Sequence, residues 1–81
     1  MEEQIVGKWR WETATYEFHR DGTYDYINTY SGVRNSGRYA VEGNILTFSV
    51  GSKSEISISG NSLYFTPVAP QRGTMVVFTR A

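Results

Sequence analysis

The sequence predicts an all-β fold: one domain over residues 1–81, a small eight-stranded antiparallel up-and-down barrel. Three observations predict it. Apolar and polar residues alternate at period two along most of the chain, and no segment sustains the i, i+3, i+4, i+7 spacing of an amphipathic helix. Turn residues punctuate this alternation at Asp21-Gly22, Gly43-Asn44, Gly51-Ser52 and Gly60-Asn61. The hairpins implied by these turns bring apolar residues to one common face. That face must be buried, and closing the sheet on itself buries it while removing the edges. A two-layer sandwich is the alternative.

The expected strands are 5–12, 15–20, 23–30, 37–42, 45–50, 54–59, 62–66 and 74–80. In the first, Ile5, Gly7, Trp9 and Trp11 share a face, with Lys8, Arg10 and Glu12 on the other. A two-residue turn at Thr13-Ala14 pairs Trp11 with Tyr16 and Trp9 with Phe18, and sets Arg10 opposite Glu17. The loop Arg20-Asp21-Gly22, ending in glycine, suits a type I turn with a bulge. It pairs Phe18 with Tyr24 and Tyr16 with Tyr26, and the same face continues to Asn28 and Tyr30. A looser stretch from Ser31 to Gly37 follows. Gly43-Asn44 then pairs Val41 with Leu46 and Tyr39 with Phe48. A loop at Ser52-Lys53-Ser54 pairs Val50 with Ile56. Gly60-Asn61 pairs Ile58 with Leu63 and Ile56 with Phe65. After the loop from Pro67 to Gly73, the last strand turns Val76, Phe78 and Arg80 inward.

Composition narrows the function classes. The chain has no cysteine, so disulfides, zinc thiolates and thiol nucleophiles are unavailable. Lys+Arg and Asp+Glu number 8 each, and that balance argues against a nucleic-acid partner, which selects a basic field. No apolar run is long enough to cross a membrane as a helix, and the acidic start lacks a signal-peptide core, so the chain as given reads as cytoplasmic. A leader already removed would leave no trace. His19 is the single histidine; it falls on the outward face, with Asp21 and Lys8 as its expected neighbours. The carboxylates read as dispersed, which leaves no metal cluster and no acid–base pair. No glycine-rich phosphate loop precedes a helix. The sequence therefore predicts no enzymatic activity, no catalytic residue and no cofactor.

Five segments in order carry a family resemblance: Gly7-Lys8-Trp9, the hairpin from Phe18 to Tyr24, the stretch from Gly37 to Thr47, the hairpin from Ile58 to Leu63, and Arg80 near the end. Together they resemble small bacterial lipocalin-like domains of the calycin type. That resemblance implies a barrel closed at one end by Trp9, with Arg80 packed across it and bonded to nearby carbonyls, and it makes Gly7, Trp9 and Arg80 a structural signature. Full lipocalins are about twice as long, with a deep apolar cup.

In an up-and-down meander the connections alternate between two ends. The tight turns at Asp21-Gly22, Gly43-Asn44 and Gly60-Asn61, both termini, Trp9 and Arg80 share one end; the connections at 13–14, 31–36, 51–54 and 67–73, with the two longest loops, lie at the other. Binding residues favour irregular loops on a rigid scaffold. The expected function is binding of a small apolar or aromatic ligand at the loop-rich end, through Trp11, Tyr16, Tyr26, Asn28 and Tyr30, with Arg34 in an adjacent loop. The alternative is a protein–protein interaction or assembly module with a solidly packed barrel. Val6, Met75 and Val77 are expected to form an outer apolar patch across the barrel seam, suited to a symmetric homodimer.

Overall fold

In a computed structural model, which describes residues 2–81 and the side chains of residues 4–81, eight strands close into an antiparallel barrel in simple sequence order. The strands are β1 (Gly7–Trp11), β2 (Ala14–Phe18), β3 (Thr23–Asn28), β4 (Arg34–Glu42), β5 (Ile45–Phe48), β6 (Lys53–Ser59), β7 (Ser62–Ala69) and β8 (Val76–Arg80). A single helical turn, α1 (Glu2–Ile5), precedes them where a strand start was expected.

Three of the five expected hairpin registers are present. Phe18 faces Tyr24, Tyr39 faces Phe48, and Ile58 faces Leu63. The β1–β2 hairpin is shifted by two residues, with Trp9 opposite Tyr16, Trp11 opposite Ala14 and Lys8, not Arg10, opposite Glu17. Its turn is Glu12-Thr13, and Glu12 takes a φ of 51°. A two-residue shift leaves every side chain on its original face, so alternation alone cannot distinguish the two registers. The β5–β6 hairpin departs further. Leu46 faces Ser54, and Val50 lies in the turn, 77% exposed, instead of opposite Ile56. Phe48 N–H donates to the Ser52 carbonyl at 2.9 Å and Gly51 N–H to the Phe48 carbonyl at 2.9 Å, so the chain reverses directly after Phe48.

One end of the barrel is sealed. Trp9 and Ile5 are fully buried, and the Trp9 indole Nε1–H donates to the Ile5 carbonyl at 2.7 Å. The Arg80 guanidinium carbon stands 4.1 Å from the Trp9 ring centroid. Its nitrogens donate to the carbonyls of Gln4 at 2.8 Å and Val6 at 3.1 Å. A helix leaves its last carbonyls without intrahelical donors. Here the indole and the guanidinium supply them, which explains why one turn of helix persists at this end.

Gly7 makes the seal possible. Its φ is +128°, and a Cβ there would lie 2.8 Å from the Arg80 Nη1. Glycine therefore provides both the backbone conformation and the space for the guanidinium. The Gly7, Trp9 and Arg80 arrangement expected from the sequence is present as one packed unit.

Replacing Gly7 by alanine should destabilise the protein by about 1–3 kcal/mol through backbone strain and displacement of Arg80. In an Arg80→Ala background the same replacement should cost less, because only the backbone strain remains. Denaturation of the four proteins reads this difference. An equal cost in both backgrounds would mean that the guanidinium does not rest against Gly7 in solution.

Candidate functional site at the open end

Strand lengths determine where the barrel opens. β4 has nine residues and β5 only four. Their ladder ends at Tyr39 opposite Phe48, so residues 34–37 pair with β3 on one side alone. β7 likewise runs on to Ala69 after its ladder with β8 has ended at Phe65 opposite Val76. Pro67, which has no N–H to donate, sits in this half-paired stretch opposite Ser54, where the β6–β7 register also shifts. Between these two overhanging strands the wall parts, and a cleft of about 600 Å³ enters the barrel.

The floor of the cleft is aromatic, formed by Tyr16, Tyr24, Phe48 and Phe65. Tyr16 lies at its centre, with ring centroids 4.9 Å from Tyr26, 5.7 Å from Phe48 and 6.2 Å from Phe65. Burial, with smaller contributions from Tyr26 and Tyr24, pushes the Tyr16 phenol up to about 12, so it remains a neutral hydroxyl at physiological pH. Tyr24 crosses Gly37 on the next strand, where a Cβ would lie 3.2 Å from its ring, so this glycine lets the tyrosine lie flat against the wall. Tyr26, Asn35 and Ser36 make one side of the opening; Val50, Ser52 and the buried Ser54 make the other. Pro67, Ala69, Pro70 and Gln71 form the lip.

Of the six residues expected to bind ligand, Tyr16 and Tyr26 line the cleft. Trp11 lies outside it: its ring is 42% exposed at the rim, 6.5 Å from the Phe78 ring. Asn28 shapes the β3–β4 connection. Its Oδ1 accepts from Thr13 Oγ1 at 3.2 Å and from the backbone N–H groups of Tyr30 at 3.0 Å and Ser31 at 3.1 Å, and its Nδ2 donates to the Tyr26 hydroxyl at 3.5 Å. Tyr30 is 88% exposed on that connection, outside the cleft. Arg34 is in β4, not in a loop, and lines a groove on the outer face with Lys8, Glu17 and Asp25, which adjoins the cleft through Tyr26, Asn35 and Ser36. The opening is thus displaced toward β4–β7. Asn35, Ser36, Ser52 and Gln71 gave no strand signal because polar residues without β-branching read as loop. Asn35 and Ser36 lie on the overhang of β4, whereas Ser52 and Gln71 lie in the connections after β5 and β7, and their convergence at the opening becomes visible only from the pairing.

The outer face also corrects three expectations. Glu17 and Asp25 are cross-strand partners, and with His19 they place three potential metal-ligand atoms within 4.8 Å of one another, so these carboxylates are not dispersed. His19 is bonded to Asp25, at 2.9 Å from Nε2 to Oδ2, while Lys8 pairs with Glu17. The expected seam patch is divided. Val6 is half-buried at the sealed end beside Arg80, whereas Met75 precedes β8 at the open end and Val77 faces Tyr64. Among the described residues, no helix is long and apolar enough to cross a membrane. No protein-family model and no curated protein matches this sequence, so fold and cleft supply the functional evidence.

The hydrogen bond to Asp25 raises the His19 pKa above its ordinary 6.5. The folded protein then holds this proton more tightly than the unfolded chain. The stabilisation is complete below the unfolded value and is lost as pH rises through the folded one. The melting-temperature advantage of the parent over His19→Gln should therefore shrink as pH rises above the ordinary 6.5, and be small throughout because the pair is exposed. An advantage that grows over the same rise would contradict the assignment.

Proposed function

We propose that this protein binds a small apolar or aromatic molecule, without transforming it, in the cleft at the open end of a lipocalin-like barrel. The observation that carries this reading is the cleft itself. Its ~600 Å³ fall within the ~300–1,000 Å³ typical of small-molecule sites, and it has an aromatic floor with a few polar groups at its edge. The Gly7, Trp9 and Arg80 seal supports the lipocalin-like reading. A binding role without catalysis is supported by the lining, which combines neutral phenols, hydroxyls and amides with apolar groups, and by the raised pKa of Tyr16, which makes its phenol a poor proton donor.

The second reading, a protein–protein interaction module, draws on the outer face. Tyr64 and Val77, each 37% exposed, form a cross-strand pair, and Met75 lies two residues before Val77. It draws nothing from the interior, because a solidly packed barrel would have no cleft.

Asn35 is the cross-strand partner of Tyr26 and is exposed at the opening, so a larger ring there blocks the cleft without disturbing the core. The neutral fluorophore N-phenylnaphthylamine should brighten on binding the parent. Asn35→Trp should weaken that binding roughly tenfold or more while moving the melting temperature little, as expected for an exposed site. No brightening with the parent, or identical binding by the two proteins, would favour the interaction module.

A further inference from the structure

The distribution of charge between the two concavities deepens this reading and rests on it. The outer groove is lined by Lys8, Glu17, Asp25 and Arg34, whereas the cleft has no Asp, Glu, Lys, Arg or His among its fourteen lining residues. The ionic side chains next in sequence to its lining residues do not line it: Glu17, Asp25 and Arg34 line the outer groove, Lys53 is exposed, and Arg72 directs its guanidinium to Glu55 at 3.8 Å. The polar groups that remain are neutral: the phenols of Tyr16, Tyr24 and Tyr26, the amides of Asn35 and Gln71, and the hydroxyls of Ser36, Ser52 and Ser54. We infer that the cleft selects uncharged, flat ring compounds with hydrogen-bonding edge groups, and discriminates against anions such as carboxylates, sulfonates and fatty acids.

The physical reason is desolvation. An ion entering the cleft loses part of its hydration and meets no opposite charge, whereas a neutral ring loses little and stacks on the aromatic floor. Burial of the Tyr16 phenol has the same effect on a resident group, since it resists ionisation there. Neutral edge groups on a ligand find both donors and acceptors in the ring of amides and hydroxyls.

The test uses two fluorophores that share one skeleton: neutral N-phenylnaphthylamine and its sulfonate, anilinonaphthalene sulfonate. Only the signal abolished by Val50→Trp, an exposed position that lines the cleft but not the outer groove, counts as cleft binding. The parent should bind the neutral probe roughly tenfold or more tightly than the sulfonate. The sulfonate is also more soluble, so charge is read from two lip variants. Gln71→Arg should strengthen sulfonate binding severalfold and Gln71→Glu should weaken it, with the neutral probe unchanged by either. If the two probes bind the cleft equally, or if neither lip variant changes their ratio, charge selection is overturned while the binding function stands. If neither probe gives cleft signal, the binding function falls, and this inference with it.

Discussion

A barrel of short strands needs something to keep water out of its ends, and here one end depends on the stacked pair of Trp9 and Arg80. The β1–β8 ladder that closes the sheet is short, with Trp9 opposite Arg80 and Arg10 opposite Thr79, extended by the Ala81 N–H to the Lys8 carbonyl at 2.9 Å. Closing it brings together segments more than 70 residues apart, which costs chain entropy that a short ladder offsets poorly. The guanidinium adds attraction where the ladder is weak. It covers the indole, donates to two carbonyls beyond the strand, and so ties the last strand to the chain preceding the first. A cation–π contact contributes ~0.5–2 kcal/mol, a large share of the stability of so small a domain. Gly7 is the condition for this, because any side chain at that position would displace the guanidinium.

The seal divides the interior into two kinds of core. Trp9, Ile5, Phe18, Leu46 and Leu63 are the largest fully buried side chains, and Trp9 and Ile5 lie at the sealed end itself. Around Tyr16 the packing becomes ring against ring, ending in the hydroxyl-bearing wall of the cleft. A tyrosine suits this boundary because its ring belongs to the core while its hydroxyl tolerates a wetter neighbourhood. The open end also gives up ladder hydrogen bonds on β4 and β7. Binding regions are commonly drawn from such less stable parts of a fold, supported by a more tightly packed remainder.

The fold was readable because period-two alternation and glycine turns act locally, and because inward faces must match across every hairpin. The seal was readable through the resemblance carried by Gly7, Trp9 and Arg80. Register was less readable wherever the turn lacked a strong signal. Glu12-Thr13 and Thr13-Ala14 are equally poor turn formers by composition, and both keep Trp9 and Trp11 facing inward. Val50 misled because it continues the inward alternation of the expected strand 45–50, whereas the chain turns at Gly51, with a φ of +102°, and leaves the valine exposed at the cleft opening. The cleft was the least readable feature. It arises from strands of unequal length, β4 and β7 overhanging their neighbours, and such overhangs depend on pairing across the barrel more than on any short stretch of sequence.

The two tryptophans make the account open to one direct measurement, hydrogen exchange of their indole N–H groups by NMR. Trp9 is sealed under Arg80 with its Nε1–H bonded to the Ile5 carbonyl, while Trp11 is half-exposed at the open rim. Each serves as the reference for the other in the same sample. The account predicts that the Trp9 indole exchanges orders of magnitude more slowly than that of Trp11, near the limit set by global unfolding. Equal, rapid exchange of both would contradict it, because the end closed by Trp9 and Arg80 would then be open to water.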